Sequence, residues 1–149
     1  MRYIIADIHG CYNEYINLLK KINFSDNDIL YILGDVVDRG PEPIKILQDM
    51  MKRSNVFLII GNHEFMMYTI LKKLAVEITS ENCENYLDAD DILKYNLWLQ
   101  NGGYNTSKQF SKSFTGRKRR YIRLYRRLFI LRNYQLRRQR ICFSTCGFR

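Results

Sequence analysis

Three short apolar runs, Tyr3–Ala6, Ile29–Leu33 and Val56–Ile60, each end on a loop that carries Asp, His or Asn. Their length and their β-branched content read as buried strands. Between them, Asn13–Ile22 places Tyr15, Leu18, Leu19 and Ile22 at helical spacing. Pro41 and Pro43 open a second helix with Ile44, Leu47 and Met51 in period, Pro being tolerated where first-turn N–H groups lack partners anyway. Glu64–Val76 and Asp90–Gln100 read as two more helices, the last ended by Gly102-Gly103. This alternation predicts an α/β fold, a parallel sheet with helices on both faces. Sites in such sheets form beyond the carboxyl ends of the strands, and all three loops lie there.

The loops hold a set of groups suited to phosphate-ester hydrolysis. Asp7 and His9 are two apart, so in an extended segment both point the same way and grip one ion. Asp35 leaves the neighbouring strand at the same edge, and its two oxygens suit a bridge between two cations. Asn62 adds a neutral carbonyl ligand from the third strand. A mixed N/O set of this kind fits Mn, Fe, Zn or Co better than Ca. Two bridged cations convert a shared water to hydroxide near neutral pH, aimed at phosphorus. His63 stands where a general acid would protonate the leaving oxygen, with Asp38 to fix its tautomer. Arg39 offers a planar fork for two phosphate oxygens, and Gly34, Gly40 and Gly61 let the backbone turn close to the ions. Taken singly, each residue has an ordinary reading as a turn former, a surface ion pair or a helix start. Three loops in order, each following a strand, make the joint reading the stronger one.

Composition narrows the rest. A chain of 149 residues is one domain at most. No apolar run approaches the roughly 20 residues of a membrane span, and Met1-Arg2-Tyr3 leads into a strand and not a signal peptide; with no paired cysteine motif, a reduced cytoplasmic setting is expected. Cys11, Cys83, Cys142 and Cys146 form no CxxC pair, which argues against a zinc ribbon or a thioredoxin site. The net charge of +9 is uneven: residues 116–149 hold 12 of the 24 basic residues and none of the 15 acidic ones. The chain therefore divides into a mildly acidic body, 1–115, and an Arg-rich tail, 116–149.

DIHG (Asp7–Gly10), GDVVDRGP (Gly34–Pro41) and GNHE (Gly61–Glu64) resemble the signature blocks of the calcineurin-like metallophosphoesterases, specifically the phosphoprotein phosphatase branch. The later segment Trp98–Phe110 is similar to the NGG region of bacterial serine/threonine phosphatases. The resemblance covers about the first 110 residues. It implies two divalent metals, Mn first, with Asp7, His9 and Asp35 on one and Asp35 and Asn62 on the other. It also implies His63 as proton donor oriented by Asp38, and Arg39, Asn62 and His63 facing the substrate phosphate. The expected activity is hydrolysis of phosphate monoesters, on a phosphorylated protein or a small phosphoester. Symmetrical diadenosine tetraphosphatases share the superfamily and form the alternative. Their blocks more often read ARG or NRG at the position of Asp38-Arg39-Gly40, and GNHD where Glu64 stands here.

The resemblance also implies a second sheet with two more His ligands and a further Arg. This chain has two His, His9 and His63, both already placed. The reading is therefore an incomplete, C-terminally truncated domain with an impaired second metal site and an exposed sheet edge. The acid-free tail, beginning where the resemblance stops, reads first as a poorly ordered frameshift product. The other reading is a basic helix for nucleic acid or an anionic membrane, on a protein that is not catalytic. No obligate partner is evident.

Overall fold

In the computed structural model, which describes residues 1–74, 76 and 79–112, the three apolar runs form one parallel sheet. Strands β1 (Arg2–Ile5), β2 (Ile29–Leu33) and β3 (Val56–Ile59) lie in the order β1-β2-β3. Tyr3 pairs with Leu30, and Leu30 with Val56; Ile5 pairs with Ile32, and Ile32 with Leu58. Side chains alternate across a strand, so these six share one face. Leu30, Ile32, Val56 and Leu58 on that face are buried.

Helix α1 (Tyr12–Lys21) joins β1 to β2, and α2 (Pro43–Met50) joins β2 to β3. Right-handed crossovers between strands taken in sequential order put both helices on the same side. Their inward residues, Tyr15 and Leu19 from α1 and Ile44, Ile46, Leu47 and Met50 from α2, join the core of that face. A triad ties the two helices, with Tyr15 Oη donating to Asp49 at 3.1 Å and Arg53 Nε donating to the same oxygen at 2.6 Å. Burial first, and then Asp49, push the Tyr15 phenol up well beyond its usual range. Of the two helical layers expected, the described residues supply this one. The opposite face carries Ile4 in line with Tyr31 and Phe57; Ile4 is 67% exposed and Phe57 37% exposed.

Helix α3 (Asn62–Leu74) follows β3 directly, and α4 (Ala89–Trp98) opens on a capping box between Asp88 and Asp91. The Gly102-Gly103 pair ends this helical path as expected, with Gly102 at φ 99°, and α5 (Tyr104–Lys112) starts at once beyond the kink. The left-handed residue that stops the first helix lets the second pack against α2. Trp98 and Phe110 are consequently buried in the same core.

No helix among the described residues is long and apolar enough to cross a membrane. The basic tail, with its frameshift and basic-helix readings, lies outside the described residues, as do Cys142 and Cys146.

Candidate active site

The first loop reaches its place by a different route from the extended one expected. Strand β1 stops at Ile5, and Asp7 and His9 both take left-handed backbone, φ 54° and 44°. Such φ values cost roughly 1–2 kcal/mol for a residue with a Cβ. Long-range bonds offset that cost, since His9 N–H donates to the Asp35 carbonyl and Gly10 N–H to the Val36 carbonyl, each at 2.8 Å. Asp35, Asp38 and Arg39 are left-handed too, at φ 52°, 69° and 60°. Concentrated strain of this kind marks functional loops. His9 Nδ1–H donates to the Val37 carbonyl at 3.1 Å, leaving Nε2 as the lone-pair nitrogen. Asp7 Oδ1 lies 3.9 Å from that Nε2 on a side chain that is 69% exposed.

The second and third loops meet where glycine permits. An added Cβ at Gly34, whose φ is 80°, would stand 2.7 Å from Gly61 Cα, and one at Gly61 would stand 2.4 Å from Asp35 Oδ1. Into this junction reaches Glu64, fully buried. Its carboxylate accepts N–H groups from Asp35 and Val36 at 2.8 Å, Gly61 at 3.0 Å and Val37 at 3.1 Å. Burial holds the Glu64 carboxyl above its usual range, against the opposing pull of the four donors. This bracing role of Glu64 is absent from the motif reading, although its spacing three residues after Gly61, at the head of a helix, is the local signal of a side chain that reaches back to cap. Asn62 lies against Asp35, its amide N–H groups donating to Oδ1 and Oδ2 at 3.1 and 3.2 Å in the orientation that satisfies both groups.

His63 and Asp38 form the buried part of the site. His63 Nδ1 meets Asp38 Oδ2 at 2.9 Å, with the two side chains 1% and 0% exposed. A carboxylate only accepts, so Nδ1 carries the proton and Nε2 presents a lone pair. Arg39 Nη2 donates to that lone pair at 3.1 Å. The residues therefore form a chain, Asp38–His63–Arg39, running from the core to the surface. The His9 and His63 rings pack edge to face with centroids 4.9 Å apart.

Ligand-type atoms of His9, Asp35 and His63 lie within 4.8 Å of one another. The donor set fits a divalent cation: an imidazole with Nε2 free, its other N–H on a backbone carbonyl as metal-binding His usually is, and a carboxylate on the adjoining loop. His63 fits the role of ligand less well, because a guanidinium already faces its Nε2. Asp35 and Asn62 are adjacent, whereas Asp7 stands outside this group and reaches it only through His9, at 3.9 Å; of the four expected ligands the loops bring His9, Asp35 and Asn62 together and leave the Asp7 carboxylate at the exposed rim. Among the described residues no further His reaches the Asp35–Asn62 pair.

The sequence pattern of the calcineurin-like phosphoesterases matches residues 3–139. The chain belongs to that family. The "Bis(5'-nucleosyl)-tetraphosphatase, symmetrical" of Wigglesworthia glossinidia brevipalpis is 39% identical over 103 residues, covering 66% of this chain and 37% of the relative. Proteins of the same name from Buchnera aphidicola subsp. Schizaphis graminum and subsp. Baizongia pistaciae are 36% and 34% identical over 100 residues, with 66% of this chain covered and 37% and 36% of theirs. A crystal structure of a candidate diadenosine tetraphosphatase aligns at 25% identity with a TM-score of 0.45, covering 61% of this chain and 39% of its own. The chain thus spans a little over a third of the curated relatives' length. These relatives carry the tetraphosphatase name, not the serine/threonine phosphatase name that the motif spellings favoured. The family implies divalent metal ions as cofactors.

Proposed function

We propose that the chain is a metal-dependent hydrolase of phosphoanhydrides, with dinucleoside tetraphosphates as its substrate class. One observation carries the hydrolytic part: Asp38, His63 and Arg39 are joined in a line that ends beside His9 and Asp35. The tetraphosphatase relatives support the substrate class.

Asp7, His9 and Asp35 would hold one cation, and Asp35 with Asn62 a second; Mn, Fe, Zn and Co all suit this donor set. When bound, such ions withdraw charge from phosphoryl oxygens and acidify water. The protein's own residues account for the remaining work. A bound phosphate draws Arg39 onto its oxygens, a better partner for a guanidinium than a neutral imidazole. That frees His63 Nε2, which takes up a proton from solvent and passes it to the departing oxygen as a water oxygen bonds to phosphorus and the old P–O bond breaks. Asp38 accepts from Nδ1 throughout and stabilises the imidazolium while it carries both protons.

A second reading rests on the same dyad. A nucleotide leaving through a phosphate oxygen departs as a weak base already anionic near neutral pH, because its second ionisation lies near pH ~6. A serine or threonine alkoxide needs a proton far more. A fully buried Asp38–His63 pair favours such a phosphomonoester substrate.

Full-length chain supplied with Mn²⁺ tests both, using a bis(5'-nucleosyl) tetraphosphate, a phosphoserine peptide and p-nitrophenyl phosphate. Preferred cleavage of the tetraphosphate into two diphosphates supports the first reading. Preference for the phosphopeptide moves the conclusion to the second. Mn²⁺ binding without turnover on any of the three rejects both.

A further inference from the structure

The segment from Trp98 to Thr106 lies outside the three loops, yet it closes over Asp38. Trp98 Nε1–H donates to Asp38 Oδ2 at 2.8 Å, the oxygen that also accepts from His63. The Thr106 hydroxyl donates to the other oxygen, Oδ1, at 2.7 Å, and accepts the Asp38 backbone N–H at 3.0 Å. Because that hydroxyl has one hydrogen, taking the N–H on its lone pair commits the hydrogen to Oδ1. Asp38, Trp98 and Thr106 are all 0% exposed, so water cannot replace any of these donors. Asp38 thus has three donors on two oxygens, and only one of them comes from His63.

The same segment holds the backbone of the loop. Gly102 carbonyl accepts the Arg39 N–H at 2.9 Å, and Asn105 Nδ2 donates to the Gly40 carbonyl at 3.1 Å. Both glycines of the kink are needed for the approach. A Cβ on Gly102 would stand 2.8 Å from Arg39 Cγ, and one on Gly103 would stand 2.6 Å from the Trp98 ring. The left-handed Asp38-Arg39 pair is therefore held by residues more than 60 positions later in the chain.

We propose that Trp98 and Thr106 are positioning residues. Their two buried donors fix the Asp38 carboxylate in the single orientation that accepts from His63 Nδ1, and so hold His63 Nε2 facing Arg39, where it meets the departing oxygen once a phosphate draws Arg39 away. This rests on the reading of His63 as the proton donor. Without Thr106, one carboxylate oxygen loses its donor in a sealed pocket and the group turns to regain one, carrying the imidazole with it.

The chain contains one Trp and two His, so its indole and imidazole N–H signals can be assigned with few variants. The experiment uses full-length protein without metal, observed by ¹⁵N–¹H NMR, alongside Mn²⁺-dependent turnover. In the wild type the Trp98 indole N–H and the His63 Nδ1–H are expected to exchange slowly, and Asp38→Asn should shift the indole signal. Thr106→Val should bring His63 Nδ1–H into fast exchange while Thr106→Ser preserves it. In kinetics, Thr106→Val should lose at least about tenfold more turnover on an alkyl phosphate than on 2,4-dinitrophenyl phosphate, whose leaving group needs no proton. Thr106→Ser should recover most of that loss. Circular dichroism reports whether Trp98→Phe folds; if it does not, the Thr106 pair alone decides. Unchanged His63 exchange in Thr106→Val, or an equal loss on both substrates, overturns the proposal. Absence of wild-type turnover on both esters counts only against the phosphomonoester reading above, and the NMR comparison then decides the positioning role by itself.

Discussion

Glu64 Oε2 accepts the Asp35 N–H at 2.8 Å from a side chain wholly sealed from solvent. One carboxylate therefore spans the ends of β2 and β3, taking the N–H groups of Asp35, Val36, Val37 and Gly61 together. Gln in its place keeps the shape but offers one acceptor oxygen, and it turns an NH₂ toward backbone donors. Glu64→Gln should lose about 2–4 kcal/mol of stability, read as a shift in the urea midpoint at constant slope. Glu64→Asp keeps both oxygens one methylene short and should fall between the two. A wild-type midpoint for Glu64→Gln would show that these four donors do not need a carboxylate.

The same junction makes Gly34 irreplaceable. Its φ of 80° is unfavourable for any side chain, and the Cβ of Ala would stand 2.7 Å from Gly61 Cα, a backbone atom that cannot swing away. Left-handed Ala costs about 1–2 kcal/mol and overpacking another 1–3 kcal/mol. Gly34→Ala should be destabilised by about 2–5 kcal/mol in a thermal or urea melt. The displaced Gly61 should also weaken divalent-ion binding, because it carries Asn62 and His63. Gly34→Ala melting as the wild type does would mean that the two loops are looser than a 2.7 Å approach allows.

The strands, the site loops and their shared rim were legible because each depends on neighbours in sequence: an apolar run, then Asp, His or Asn within a few residues. What sequence did not disclose depends on partners far apart. Trp98 and Thr106 meet Asp38 across 60 and 68 positions, and nothing local distinguishes a Trp that donates to a buried carboxylate from one that only fills a core. The conformation of Asp7 and His9 departs from the local expectation for the same reason: local preference favours extended backbone, and the bonds that His9 and Gly10 N–H donate to the Asp35 and Val36 carbonyls override it. Gly102-Gly103 carries a local signal for a helix end, and the pair does end one, but how closely it approaches the surface beneath, here Trp98 and Arg39, is not local.

Acid should expose a second anchor, at the far end of the sheet. The Met1 ammonium donates to Asp28, which also accepts Ser25 N–H at 2.9 Å and Ser25 Oγ–H at 2.8 Å. The ammonium first, and then the two Ser25 donors, pull the Asp28 carboxyl down to about 2 from 3.8. A depressed folded value stabilises the fold above the unfolded value and loses that contribution as pH falls from 3.8 toward about 2. Urea midpoints measured from pH 5 to pH 2 should fall across that window. Asp28→Asn should remove this part of the slope, and acetylating the N-terminus should reduce it. An unchanged slope in Asp28→Asn would assign acid sensitivity to other carboxylates.

Metal titration separates the two roles open to the histidines. His9 and His63 both come within 4.8 Å of Asp35, but their nitrogens are engaged differently. His9 spends Nδ1 on a carbonyl and keeps Nε2 free; His63 spends Nδ1 on Asp38 and faces Arg39 with Nε2. A cation should therefore depend on His9 and Asp35 and tolerate loss of His63. A ligand at 100 times its Kd stabilises the folded state by about 2.7 kcal/mol, so Mn²⁺ should raise the wild-type melting temperature. His9→Ala and Asp35→Ala should abolish that rise, while His63→Ala should keep most of it and lose turnover by about 100-fold or more. Chelation with EDTA should return the wild type to its metal-free melting temperature. A His63→Ala variant that no longer responds to Mn²⁺ would make His63 a ligand, and the line Asp38–His63–Arg39 would then serve to hold metal and not to deliver a proton.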